Sequence, residues 1–226
     1  MNKERRSAFG VILILLFSCA LMYIIEVWVK PGYLMKSVWK VGAFAGLPFV
    51  YCAFNKRVSL KDFFIIRTPK QLLWSLALGA GVYALILCGY WLLAQFIDLN
   101  NIAAQLSENA KVNKDNFIMV ALYISFVNSL LEEFFFRGFA FLSLKKILPR
   151  FLSYILSAMA FAAYHIAIMS GWFSPWLFAT LIAGLFIAGL FFNWLNEKSE
   201  NIYPSWLVHM SANFAINTIG LIMFMG

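Results

Sequence analysis

Seven long apolar runs, at about 9–29, 37–54, 72–97, 116–144, 151–170, 176–195 and 204–225, constrain this chain more than anything else in it. A helix needs about 20 apolar residues to cross ~30 Å of hydrocarbon, where every backbone polar group must be satisfied within the segment itself. The runs are continuous and do not alternate, which excludes a membrane β-barrel. With 63% hydrophobic and 12% charged residues and a mean hydropathy of +0.80, no part of the chain reads as a soluble core. The expected fold is an all-α integral membrane protein, a bundle of about seven transmembrane helices, with six to eight as the range. Residues 1–226 form a single transmembrane domain, and the longest polar stretch, about 98–115, is too short to be a second one.

Basic residues predict the orientation. Lysines and arginines crowd the segments 3–6, 56–70 and 145–150, while Lys30, Lys36, Lys40, Lys111 and Lys114 fall on the opposite side. The positive-inside rule then puts the N-terminus in the cytoplasm, and a prokaryotic cell membrane is the expected location. The net charge of +8 is spread over juxtamembrane loops, so it suits the anionic lipid surface of the bilayer and not nucleic acid. The segment 55–70 mixes Lys56, Arg57, Lys61 and Arg67 with Phe63, Phe64, Ile65 and Ile66, which reads as a stretch lying along the cytoplasmic interface or as an ordinary basic loop. The N-terminal run imitates a signal peptide, yet it continues apolar well past Cys19 and reads as an uncleaved span. Cys19, Cys52 and Cys88 lack metal-ligand spacing and read as packing residues. Gly42 and Gly46 form a small-xxx-small pattern that serves packing within one subunit or a homodimer.

Against this apolar background the ionisable residues inside the runs stand out. A charge at the bilayer centre costs roughly 2.5–3.5 kcal/mol even on lenient scales, so each one marks a functional site by default. Helix periodicity assigns faces. Glu133 and Arg137 are four apart, the spacing of an ion pair on successive turns. Glu132 points about 100° away from Glu133 and shares its face with Asn128, leaving it free for chemistry. His209 and Asn213 share another face with Asn217, and two hydrogen-bonding groups there suit a developing oxyanion. His165 follows Phe161 by four residues, so the ring walls one side of the imidazole.

Glu-Glu-x-x-x-Arg at 132–137, Phe-x-x-x-His at 161–165 and His-x-x-x-Asn at 209–213, in this order on successive apolar segments, resemble the three motifs of the CPBP intramembrane protease family. That family joins CAAX prenyl endopeptidases with bacteriocin-processing and abortive-infection (Abi) proteins. The resemblance covers about residues 116–217, the expected catalytic core, and every motif position is intact. It implies an intramembrane endopeptidase that hydrolyses a membrane-associated peptide or protein. Glu132 and His165 would activate water, His209 and Asn213 would stabilise the oxyanion, and Glu133 and Arg137 would support them. A metal-free glutamate mechanism with no cofactor is preferred, since the chain has no His-Glu-x-x-His signature and no carboxylate beside either histidine in sequence. Zinc or another divalent metal on Glu132, His165 and His209, the metalloendopeptidase form, stays open. So do a non-catalytic immunity or scaffold protein of the same fold and a proton-coupled transporter. The site is expected to lie in a water-filled cavity open to the cytoplasm.

Overall fold

The computed structural model describes residues 3–96, 101–102, 104, 107–108 and 112–225. Seven helices in it are long and apolar enough to cross a membrane: α1 (Glu4–Val29), α2 (Tyr33–Phe54), α3 (Pro69–Leu93), α4 (Phe117–Leu142), α5 (Arg150–Met169), α6 (Pro175–Ser199) and α7 (Tyr203–Met223). No strand occurs among the described residues. Each helix coincides with a predicted run to within about five residues, and the chain is an all-α integral membrane protein. The largest differences are at helix starts, where apolar content underestimates a polar or proline-led first turn; Pro69 and Pro175 occupy first-turn positions, where the missing N–H has no intrahelical partner to lose. Half of the predicted polar stretch 98–115, and Lys111 with it, lies outside the described residues.

α4 is the axis of the bundle. Its last ten residues, Glu133–Leu142, are all buried, as a helix apolar on every side must be when neighbours surround it. Phe135, Phe136, Phe139 and Phe141 are completely enclosed. α1 and α2 form a hairpin clipped by a Glu26–Lys36 ion pair (2.5 Å), and they pack Val11, Leu15 and Phe44 into the core around α4. Phe44 stacks on Phe135 with ring centroids 4.2 Å apart. α5 lies against α6 where Gly189 meets Ala158, so closely that a Cβ on Gly189 would stand 3.0 Å from the Ala158 Cα. α3 runs along α7 at the periphery and buries little beyond Ser75 and Gly79. Its outer face exposes Leu73, Trp74, Leu85 and Trp91, an apolar surface that is stable in lipid and not in water.

Three early readings change. Phe63, in the 3₁₀ turn Lys61–Phe64, does not lie on the interface but inserts against Gly138 and Ile202, and its carbonyl accepts from the Ile202 N–H at 3.0 Å. Within the subunit Gly42 and Gly46 do not bring a second helix close: a side chain on Gly42 would meet nothing within 4 Å, and the residues that pack are Ala43 and Phe44 between the glycines. Cys88 is exposed and packs little, while Cys19 and Cys52 are partly buried as expected.

π-helical segments interrupt the helices that frame the polar centre: Gly42–Gly46 in α2, and Ile124–Asn128 and Glu133–Leu142 in α4. A π-turn widens the helix and shifts carbonyls off the regular ladder, which leaves them open to outside donors. α7 supplies donors for the first of these segments in α4. Trp206 Nε1 donates to the Phe126 carbonyl (3.1 Å), Asn213 Nδ2 to Ile124 (3.2 Å), and Asn217 Nδ2 to Ala121 and to Ser125 Oγ (both 3.0 Å). Trp206 thus joins the polar seam between α7 and α4. In the second segment Ser157 Oγ donates to the Phe136 carbonyl (2.9 Å). Cutting the seam at Asn217→Leu removes both of its bonds and leaves the buried Ser125 hydroxyl without that donor, at about 1–3 kcal/mol. The expected outcome is a clear fall in the Tm of the detergent-solubilised protein, and an unchanged Tm would show that the seam contributes nothing.

Candidate functional site

The short regular turn Ser129–Glu132 sits between the two π-segments of α4, so Glu132 and Glu133 leave the helix in different directions. Both are buried, at 2% and 0% exposure, and each meets a different set of partners.

Glu133 faces α7 and its own helix. Its Oε1 lies 2.9 Å from His209 Nδ1 and 3.0 Å from Arg137 Nη1. The expected Glu133–Arg137 pair is therefore present, with both side chains fully enclosed. The guanidinium is close enough for attraction, but its N–H groups are not aligned for hydrogen bonds, and Nε, Nη1 and Nη2 have no hydrogen-bonding partner. Aromatic faces hold it instead: its Cζ is 3.9 Å from the Phe161 ring centroid and 4.9 Å from that of Phe192. A desolvated guanidinium over a ring gains about 2 kcal/mol or more, and Phe161, the first residue of the second motif, serves Arg137 as well as walling His165.

Glu132 faces α2, α5 and α7. Its Oε1 accepts from Lys40 Nζ (2.5 Å) and from Asn128 Nδ2 (3.0 Å), and Lys40 Nζ also reaches Asn128 Oδ1 (2.5 Å). Glu132 is thus not the free carboxylate that its helix face suggested, because an ammonium from another span neutralises it. Among the described residues its Oε2 has no hydrogen-bonding partner although it is buried. Two imidazole nitrogens face that oxygen, His165 Nε2 at 3.9 Å and His209 Nε2 at 3.8 Å. α4, α5 and α7 therefore bring Glu132, His165 and His209 to one point.

Tautomers follow from the partners. His165 Nδ1 is 2.8 Å from the Phe161 carbonyl, which only accepts, so Nδ1 carries the proton and Nε2 of the neutral ring has a lone pair. His209 Nδ1 faces the Glu133 carboxylate, and the same argument leaves its Nε2 as an acceptor. Three acceptors converge, and the protein offers no hydrogen bond to Oε2. A donor or a cation is what such an arrangement attracts. One oxygen at about 2.8 Å from Oε2 and from either Nε2 would close an angle near 90°, within the reach of a single water molecule.

Asn213, the remaining predicted residue, is one turn beyond His209 and gives one amide hydrogen to the Ile124 carbonyl, so it belongs to the seam between α7 and α4. A 490 Å³ cavity between α3 and α7 and a 260 Å³ cavity beside Arg57 and Lys146 are lined by other residues. Glu132 and His209 are buried, and the most accessible member of the cluster is His165, whose side chain is 16% exposed.

Sequence reasoning missed Lys40, which it counted among the charges on the outer face. The signal was present: Lys40 falls inside the predicted span 37–54, and the rule that marks a buried glutamate as functional applies equally to a lysine. The outer carboxylate of His209 was also hidden, since Glu133 is 76 residues away in sequence.

Comparison with known proteins gives no match to a curated protein and none to a solved structure. A family model described as type II CAAX prenyl endopeptidase Rce1-like matches residues 114–215, the stretch that carries Glu132, His165, His209 and Asn213. Over that stretch the chain is similar to the Rce1-like type II CAAX prenyl endopeptidases.

Proposed function

We propose that this protein is an intramembrane endopeptidase of the glutamate type, acting on a membrane-associated peptide or protein. The observation that carries the reading is the buried Oε2 of Glu132, unpartnered and faced by two imidazole lone pairs. Water held there donates its hydrogens to Glu132 and to one Nε2, which turns its oxygen outward as the nucleophile. As that oxygen bonds to the scissile carbonyl carbon, its proton passes to the Glu132–His165 pair. The carbonyl oxygen becomes an oxyanion, and the same proton goes to the amide nitrogen when the C–N bond breaks.

His209 has a more specific part in this scheme than a neutral donor. With Nδ1–H committed to Glu133, its Nε2 donates to an oxyanion only when the ring enters the reaction as an imidazolium, protonated from solvent before the water attacks, and the carboxylate behind it stabilises that charge. Asn213 retains one amide hydrogen after its bond to Ile124, and this is the hydrogen it offers to the oxyanion. Prepositioned donors of this kind are worth roughly 3–4 kcal/mol in a dry site. Turnover of one labelled membrane peptide by the purified protein is the direct test.

The same three side chains also have the donor chemistry for zinc, with Glu133 placed as the outer partner of His209. Bound there, the metal would make its coordinated water more acidic. Lys40 argues for the metal-free form, because its ammonium, 2.5 Å from the same carboxylate, already provides the cation that Glu132 requires. Purified protein is expected to contain far less than one equivalent of zinc by elemental analysis and to keep its activity with a chelator that enters micelles. Stoichiometric zinc, with activity lost on chelation and restored by zinc, would replace this mechanism by the metal one on the same residues.

A further inference from the structure

Lys40 comes from α2, outside the matched stretch 114–215 and outside all three motifs, yet it is buried, at 5% exposure. Its Nζ bridges Glu132 Oε1 and Asn128 Oδ1, both at 2.5 Å. The ring centroids of Tyr164 and Phe44 lie 4.7 and 5.4 Å away, and Tyr164 is the residue before His165. An ammonium in such a place needs both an anion and π-faces, and it has them.

We propose that Lys40 is a positioning residue for the peptidase reaction: by holding Glu132 Oε1 together with Asn128, it fixes the carboxylate so that Oε2, and only Oε2, faces His165 and His209. The inference rests on the peptidase reading above. A carboxylate has two equivalent oxygens and rotates about its last torsion, which is broad. Two donors on Oε1 remove that freedom and select one orientation. The cation also favours the ionised carboxylate in a site with little water, so a base is ready before substrate enters. Because Lys40 rides on α2, the N-terminal hairpin becomes part of the active site. Its place in the site is maintained by the packing of Phe44, one turn further along, against Phe135.

The test joins kinetics to a stability cycle. Lys40→Met keeps an unbranched side chain, one atom shorter, and removes the charge. It is expected to lower kcat by about 10²-fold while KM changes less than about threefold, the pattern of a lost transition-state contribution. Lys40→Arg, which restores a cation, is expected to recover at least a tenth of wild-type kcat. In detergent, Lys40→Met and Glu132→Gln each lower the Tm by several degrees, and the double variant Lys40→Met/Glu132→Gln lies above Lys40→Met, because neither partner is left alone. A Lys40→Met kcat within threefold of wild type, no recovery with arginine, or strictly additive Tm changes would each overturn the proposal. A wild-type protein without turnover defeats the peptidase reading and the catalytic part of this one together, and the Tm cycle then still decides whether the buried pair exists.

Discussion

Glu132→Gln is expected to abolish most peptide turnover, by a factor on the order of 10²–10⁴, when rates are expressed per folded molecule. The substitution preserves the size of the side chain and an oxygen able to accept from Lys40 and Asn128, so the geometry on the α2 side survives. What disappears is the basic lone pair on the other atom. An amide placed where Oε2 now lies presents hydrogens to the His165 and His209 nitrogens, 3.9 and 3.8 Å away, and fills the gap where water would bind as donor. His165→Ala and His209→Ala are expected to lose comparable factors, since each removes one of the groups that converge on that oxygen. Because Lys40 is left without its counter-ion, the Glu132→Gln protein is less stable than wild type, and normalisation by folded protein separates the two effects. Turnover within threefold of wild type would rule out Glu132 as the base.

Arg137→Ala acts on folding instead. It leaves the fully enclosed Glu133 with no cation and removes the guanidinium from the faces of Phe161 and Phe192. Breaking one side of a buried pair typically costs about 3–5 kcal/mol, a large part of the 5–15 kcal/mol that holds an ordinary domain together. The expected result is a sharp loss of monodisperse protein in size-exclusion chromatography. Arg137→Met with Glu133→Gln is expected to regain much of it, since it neutralises both partners and keeps an oxygen to accept from His209 Nδ1. If Arg137→Ala purified with wild-type yield and Tm, the pair would be a bystander.

How far the site was legible in the chain depends on whether its contacts run along one helix or across several. Contacts along a helix are a matter of spacing. The four-residue interval joins Glu133 to Arg137, Asn128 to Glu132 and His165 to the Phe161 carbonyl, and all three are made. Periodicity could also separate the faces of Glu132 and Glu133. It could not say what either face would meet, and so Glu132 looked free when an ammonium 92 residues away neutralises it. The face analysis assigned His209 and Asn213 one role as donors. In the structure the imidazole turns Nδ1 to Glu133, while the amide gives a hydrogen to a carbonyl that a π-turn in α4 had displaced. Such turns leave no signature in an apolar pattern, because every residue around them is apolar whichever way the backbone winds.

The sequence by itself determined the class, the number of spans and the residues to watch, for a simple energetic reason. Twenty-residue apolar runs have few options besides crossing a bilayer as helices, and charged groups within them are too costly to be incidental. The tertiary structure decided the partnerships. Lys40 belongs to Glu132 and not to the outer surface, Glu133 serves His209 as well as Arg137, and Phe63 is tucked beneath Gly138. Those outcomes depend on which helix lies beside which, and on the π-turns that rotate α4 about its axis. Both arise from packing side chains at fixed density around a central helix, which no local spacing encodes.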